Sequence, residues 1–75
     1  MMEYLTVESY AGIKAEEHPL RIFINKRKIE ITVIKKRWLT PDGRYFKVTG
    51  NDGWLYILKY NPENDIWSLV AIDRP

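Results

Sequence analysis

The stretch LRIFINKRKIEITVIKKRWLTPDGRYFKVTG, residues 20–50, decides the fold class of this 75-residue chain. Apolar and polar residues alternate along it, and β-branched and aromatic side chains are frequent, which is typical of half-buried β-strands. Its first strand places Leu20, Ile22 and Ile24 on one face, and the polar run 25–28 predicts a tight turn. The stretch therefore begins an antiparallel meander.

The second strand of this meander carries an irregularity in its apolar pattern. Ile29, Ile31 and Val33 alternate with polar residues, but Ile34 follows Val33 directly and shifts the apolar phase toward Trp38. One residue too many on one face predicts a β-bulge or strong coiling near this point.

Turn-forming residues delimit the rest of the chain. The run 40–43, TPDG, predicts a hairpin turn because proline presets φ and glycine tolerates the left-handed conformation. Asn51-Asp52-Gly53 and the loop 61–65 predict the next two turns. The strands between and after them are 44–50, 54–60 and 66–72. Residues 54–60 are apolar on both faces, which is typical of a central or doubly covered strand.

Five antiparallel strands in about fifty residues favour a small half-open barrel, because a twisted sheet curls to hide its edges. We predict one all-β domain, 1–75, with a leader at 1–19 and a β-meander at 20–72. A strand at residues 4–10 is one interpretation of the leader, and Gly12 and Pro19 argue against a long helix in it. We expect the leader to be extended and to pack across the third and fourth strands. The expected contacts of the leader are Leu5, Val7, Tyr10 and Ile13. The expected core is Ile22, Ile24, Ile29, Ile31, Val33, Phe46, Val48, Leu55, Ile57, Trp67 and Leu69.

Composition limits the possible compartment and excludes several classes of site. The sequence has no cysteine, which excludes disulfides and thiolate metal sites and favours a reducing, cytoplasmic setting. The start of the sequence lacks the features of a signal peptide, and no apolar run approaches the roughly 20 residues of a membrane span. We therefore expect a soluble cytoplasmic protein.

Residues suited to catalysis are scarce. His18 is the only histidine, so a histidine metal site or a histidine-bridged triad has at most one of its members present. The run 16–19, EEHP, is interpreted as a solvated junction, and the single glycines do not form a phosphate-binding loop. We therefore expect a non-catalytic protein that needs no metal and no cofactor.

Positive charge is concentrated in the centre of the chain. Residues 21–47 carry nine cations against two carboxylates, a net charge of +7, whereas residues 1–20 carry −3 and residues 48–75 carry −2. Cations beside aromatic rings are what small barrels use to hold single-stranded nucleic acid. This predicts a binding module for nucleic acid or a nucleic-acid-processing complex. The candidate contact residues are Lys26, Arg27, Lys28, Lys35, Lys36, Arg37, Tyr45, Lys47, Trp54 and Tyr56.

Two other interpretations of these residues stay open at the level of sequence. Lysines on edge strands also prevent aggregation between sheets and keep a small domain soluble. A face formed by Tyr45, Trp54, Tyr56 and Tyr60 would instead suit a protein adaptor or a homo-oligomer, since exposed aromatics are enriched at interfaces generally. The expected oligomeric state is a monomer or a weak dimer.

Short motifs spread along the chain carry two resemblances. The sequence resembles a family of short bacterial cytoplasmic proteins to which no function is assigned, through ESYAG (8–12), EHP (17–19), RW (37–38), RYFKV (44–48), DG (52–53), YILKY (56–60) and DIWSL (65–69). Its second half is also similar to a small domain of actinobacterial proteins encoded near error-prone DNA polymerases. Neither family implies catalytic residues, and the second implies a nucleic-acid-related partner by association alone.

Overall fold

The computed structural model describes residues 5–10 and 18–74, and all regular structure in them is β-strand. Six antiparallel strands pair in chain order: β1 (Leu5–Tyr10), β2 (His18–Ile24), β3 (Arg27–Thr40), β4 (Gly43–Gly50), β5 (Leu55–Asn61) and β6 (Ile66–Asp73). The edge strands β1 and β6 come close without pairing, so the sheet curls into a half-open barrel. The predicted all-β meander is confirmed, with six strands where five were expected.

The additional strand comes from the leader. β1 pairs with β2 from Leu5 opposite Ile24 to Tyr10 opposite His18, and Leu5 packs against the core. The predicted packing across the third and fourth strands is therefore wrong. Pairing at the sheet edge gives the backbone of the leader hydrogen-bond partners that packing on a face would not supply. Ile13, the remaining predicted contact of the leader, lies outside the described residues.

β3 is the longest strand and joins the two halves of the barrel. Its register against β4 shifts between Ile31 and Val33 and again between Ile34 and Lys36, so Thr32 and Lys35 are extra residues. This confirms the predicted bulge. Because bulges bend a strand and increase its twist, β3 can pair with β2 through its first residues and with β4 through the rest.

Two turns set the registers of their hairpins. Asn25 and Lys26 have φ values of 50° and 72°, the positive values that a two-residue hairpin loop of type I′ requires. Between β4 and β5, the N–H of Gly53 donates to the carbonyl of Gly50 at 2.9 Å, and Gly53 has a φ of 83°. This is a three-residue loop closed by a left-handed glycine.

The core is a single cluster on the inner side of the sheet. Its members are Ile22, Ile29, Phe46, Val48, Tyr56, Leu58 and Tyr60. Four of them were predicted, and four more predicted residues, Ile24, Ile31, Trp67 and Leu69, are half-buried against the cluster. Gly50 lies where a Cβ atom would come within 2.5 Å of the Ile29 side chain, so this close packing requires glycine.

Three residues of the predicted core lie elsewhere. Val33 is 50% exposed, and Leu55 and Ile57 are half-buried on the outer face of β5. Directly opposite residues of an antiparallel pair share a face. Because Val48 lies opposite Tyr56 and belongs to the core, the even-numbered residues of β5 point inward and the odd-numbered residues point outward.

Candidate nucleic-acid interface

Lysines and aromatic rings meet on the outer face of β3, β4 and β5. Trp38 lies opposite Tyr45, which lies opposite Lys59, and the neighbouring row begins with Lys36 opposite Lys47. These side chains point outward because Phe46 and Val48, which alternate with Tyr45 and Lys47 along β4, belong to the core. We call this surface the basic aromatic face, formed by Lys36, Trp38, Tyr45, Lys47 and Lys59.

The two rings of the basic aromatic face stack on each other. The Trp38 and Tyr45 ring centroids are 5.2 Å apart, and their planes differ by 10°. The Lys36 ammonium lies 5.6 Å from the Trp38 centroid, and the Lys59 ammonium lies 5.9 Å from the Tyr45 centroid. The result is a half-exposed aromatic platform with a cation over each ring.

The lysines of the basic aromatic face differ from most other cations of the fold in their electrostatic partners. In the described part of the chain, none of Lys36, Lys47 and Lys59 forms a salt bridge. Lys36 and Lys47 are also direct cross-strand neighbours, and like charges in that position destabilise a sheet. The basic aromatic face therefore carries a local electrostatic cost that an anionic ligand would relieve.

The predicted cations do not all converge. Lys26, Arg27 and Lys28 lie at the β2–β3 turn. Eight steps along β3 separate Lys28 from Lys36, up to roughly 26 Å at about 3.3 Å per step. Lys35 is the extra residue of a bulge, and Arg37 lies opposite Phe46 on the inner side of the sheet, beyond the end of β2. Of the ten predicted contact residues, the basic aromatic face contains Lys36, Tyr45 and Lys47.

Three cations near the β2–β3 turn have carboxylate partners, unlike those of the basic aromatic face. Arg27 lies 3.4 Å from Asp52, and Lys28 lies 3.6 Å from Glu30. Arg21, on the same outer surface as Lys28, donates to Glu8 at 2.6 Å and to Glu30 at 3.1 Å. These hydrogen bonds, with the one to Glu8 the strongest, raise the pKa of Arg21. Arg21, Arg27 and Lys28 therefore each have a carboxylate partner within the fold, whereas Lys26 forms no salt bridge with a described residue.

Tyr56 was predicted on the outer face and lies instead in the core, where its residue surface is 2% exposed. Its hydroxyl donates to Asp52 at 2.5 Å. Burial, and then this hydrogen bond, raise the pKa of Tyr56 to about 12. For Asp52, partial burial opposes ionisation, but the hydrogen bonds from Tyr56 and from the Trp54 N–H outweigh it and lower its pKa.

Trp54 lies at the same end of the barrel. It is half-buried against the core, and the Arg74 guanidinium lies 5.2 Å from its ring. Tyr60, like Tyr56, is a core residue, whereas Tyr45 points outward. The four aromatics expected to form an adaptor or oligomer interface therefore do not share one surface.

Trp38 and Lys59 belong to the basic aromatic face but were not among the predicted contacts. The signal for Trp38 was present in the sequence. A two-residue loop at Pro41-Asp42 pairs Thr40 with Gly43, and two further steps along each strand bring Trp38 opposite Tyr45. Lys59 follows in the same way from the β4–β5 loop.

The described ranges, 5–10 and 18–74, show neither a metal-binding cluster nor a membrane-spanning helix. Within these ranges, no group of three or more histidine, aspartate or glutamate side chains is arranged to hold a metal ion. They also contain no helix with the length and hydropathy of a membrane span.

Comparisons with known proteins give no match: neither a family model, nor a curated protein, nor a solved structure is similar to this chain. The two family resemblances drawn from its motifs stay predictions.

Proposed function

We propose that this protein is a non-catalytic module that binds single-stranded nucleic acid through the basic aromatic face. One observation carries the proposal: the stacked pair of Trp38 and Tyr45 is surrounded by three lysines that have no carboxylate partner among the described residues. Proteins that hold single strands without sequence preference combine aromatic platforms for the bases with cations for the phosphates.

The energies favour exchange of the present cation contacts for nucleic-acid contacts. A cation over an exposed ring contributes about 0.5–1 kcal/mol, whereas stacking of a base on an aromatic side chain contributes about 1–3 kcal/mol. A base can therefore displace the ammonium groups of Lys36 and Lys59 from the rings. Since lysine side chains are long and flexible, the displaced ammonium groups can then contact the phosphates on either side of the base.

Lys36 and Lys47 add a second contribution. They are directly opposite each other, so a phosphate near both of them replaces a repulsion between two cations with two attractions. Like-charge repulsion on a folded surface without a ligand is a cost to stability. The proposed binding removes that cost.

The proposal places this binding in the cytoplasm, where a nucleic-acid-processing complex exposes single strands. The cysteine-free sequence favours that compartment. The likeness of the second half to a domain encoded near error-prone polymerases supports such a setting by association.

A salt titration tests the proposal. The anisotropy of a fluorescent oligothymidylate is measured with increasing protein at several salt concentrations from about 50 mM upward. Two neutralised phosphates, one near Lys36 and Lys47 and one near Lys59, each contribute about −0.7 for a single strand and predict a slope near −1.4 in the plot of log affinity against log salt. A duplex of the same length should bind more weakly because its bases are already stacked. Absence of association at about 50 mM salt would overturn the proposal.

A pair of neighbouring variants separates stacking from general effects. Trp38→Ala removes one ring of the platform and should weaken binding about tenfold, since one stacked base contributes about 1–3 kcal/mol. Leu39→Ala is the matched control because Leu39 is the next residue, is 76% exposed and lies opposite Arg44 on the inner side of the sheet. Equal binding by both variants and the wild type would exclude the rings from the contact.

A further inference from the structure

A cleft of about 310 Å³ opens at the end of the barrel that contains the β2–β3 turn. We call it the mouth cleft, and its lining includes three isoleucines, two aromatic rings and one cation: Ile24, Ile29, Ile72, Trp54, Tyr56 and Arg27. Ile29 and Tyr56 are each 2% exposed and form its floor, whereas Ile72 is 42% exposed at its edge. Small-molecule sites have this character, with apolar walls and a few polar groups, and this volume is at the lower end of their usual range of about 300–1,000 Å³.

The charged group of the mouth cleft is positive. Arg27 lines it, no carboxylate of the described residues does, and the side chain of Arg27 is 66% exposed. A second cation lies beside the cleft, because the Arg74 guanidinium is 5.2 Å from the Trp54 ring. The cleft therefore joins an apolar interior to a cationic rim.

Asp52 does not use the full binding capacity of Arg27. Its two carboxylate oxygens accept hydrogen bonds from the backbone N–H of Trp54 at 3.1 Å and from the Tyr56 hydroxyl. Its contact with one Arg27 nitrogen is long, at 3.4 Å. A guanidinium has five N–H donors in a planar fork. Arg27 can therefore keep this contact and also bind a carboxylate placed over the cleft.

We infer that the mouth cleft binds a small aromatic carboxylate, with its ring among the isoleucines and Trp54 and its carboxylate on Arg27. Planar rings match the aromatic and branched walls, and the arginine fork matches a carboxylate in bidentate geometry. This site is separate from the basic aromatic face, so the inference does not depend on the proposed nucleic-acid binding.

Titration with naphthalene-2-carboxylate, followed by two-dimensional NMR of isotopically labelled protein, tests this inference. The expected result is a saturable shift of the Trp54 indole N–H signal and of the Ile24 and Ile72 methyl signals. The neutral isostere naphthalene-2-carboxamide should bind about tenfold more weakly, because it lacks the charge-assisted hydrogen bonds to Arg27.

Substitutions at two adjacent residues test whether the charge that binds the carboxylate belongs to Arg27. Arg27→Gln should weaken the carboxylate about tenfold and leave the carboxamide unchanged, which also shows that the variant is folded. Lys26→Gln removes an equal charge from the adjacent residue, which does not line the cleft, and should change neither affinity. Trp38→Ala should also leave both unchanged.

Three results would overturn the inference. They are no shift at millimolar carboxylate, equal affinities for carboxylate and carboxamide, and shifts located away from the mouth cleft.

Discussion

Two regions of this small barrel combine aromatic rings with cations, and they differ in one component. At the mouth, Asp52 accepts hydrogen bonds from Tyr56 and Trp54 and pairs with Arg27. On the basic aromatic face, Trp38 and Tyr45 are surrounded by lysines that have no carboxylate partner in the described ranges. The carboxylate makes the first region a structural node and occupies only part of the Arg27 guanidinium, whereas the lysines of the second region have no internal anion within the described ranges.

Removal of Asp52 is the largest expected perturbation. Asp52→Ala leaves the Tyr56 hydroxyl without its acceptor and removes the hydrogen bond that holds the β4–β5 loop. Since hydrogen bonds to charged groups contribute about 1.5–3 kcal/mol each, we expect a loss of about 3 kcal/mol in the free energy of unfolding by urea.

Asp42→Ala provides the control for Asp52. Asp42 is an exposed aspartate in the neighbouring hairpin turn, and its removal should cost no more than about 0.5 kcal/mol. Equal destabilisation by the two substitutions would contradict the central position given to Asp52.

Alkaline pH should weaken the mouth region through Tyr56. The pKa of Tyr56 is raised to about 12 from about 10, so the fold favours the protonated hydroxyl. Its contribution to stability is therefore complete below pH 10 and is lost as the pH rises through 12. Two pKa units correspond to about 2–3 kcal/mol.

Comparison with Tyr56→Phe isolates this titration from that of the other tyrosines and the lysines. The stability difference between wild type and variant, measured by urea unfolding, should decrease between pH 10 and pH 12. A difference that stays constant over this interval would show that Tyr56 does not titrate as described.

The sequence predicts most of the fold because its signals are local. Alternation predicts the strands, and the adjacent Val33 and Ile34 predict the bulge. Alternation does not show which residues of β5 point toward the core, since residues 54–60 are apolar on both faces. Loop length decides it instead: the three-residue loop pairs Gly50 with Trp54, and two steps along each strand then give Val48 opposite Tyr56.

The candidate site is predicted less completely because a count of charges does not show to which face of the sheet each side chain points. Residues 21–47 appear as one basic segment, but the length of β3 separates Lys28 from Lys36, and its pleat turns Arg37 to the inner side. The contacts of Asp52 are a second feature that charge counts do not reveal. A single carboxylate in a turn brings Arg27 into a structural role, and only its contacts in three dimensions show this.

The smallest expected effect comes from supplying the missing carboxylate to the basic aromatic face. Ser68 is exposed and lies directly opposite Lys59, so Ser68→Glu places an acid in the row that contains Trp38 and Tyr45. An exposed pair of this kind should raise stability by no more than about 0.5 kcal/mol. It should nevertheless weaken oligothymidylate binding severalfold and reduce the salt slope by about 0.7, because Lys59 is then neutralised within the protein.

Ser68→Gln, of equal size and without charge, should bind as the wild type does. If the glutamate and glutamine variants bind equally, Lys59 does not contact phosphate, and the absence of a carboxylate is not what distinguishes this face from the mouth.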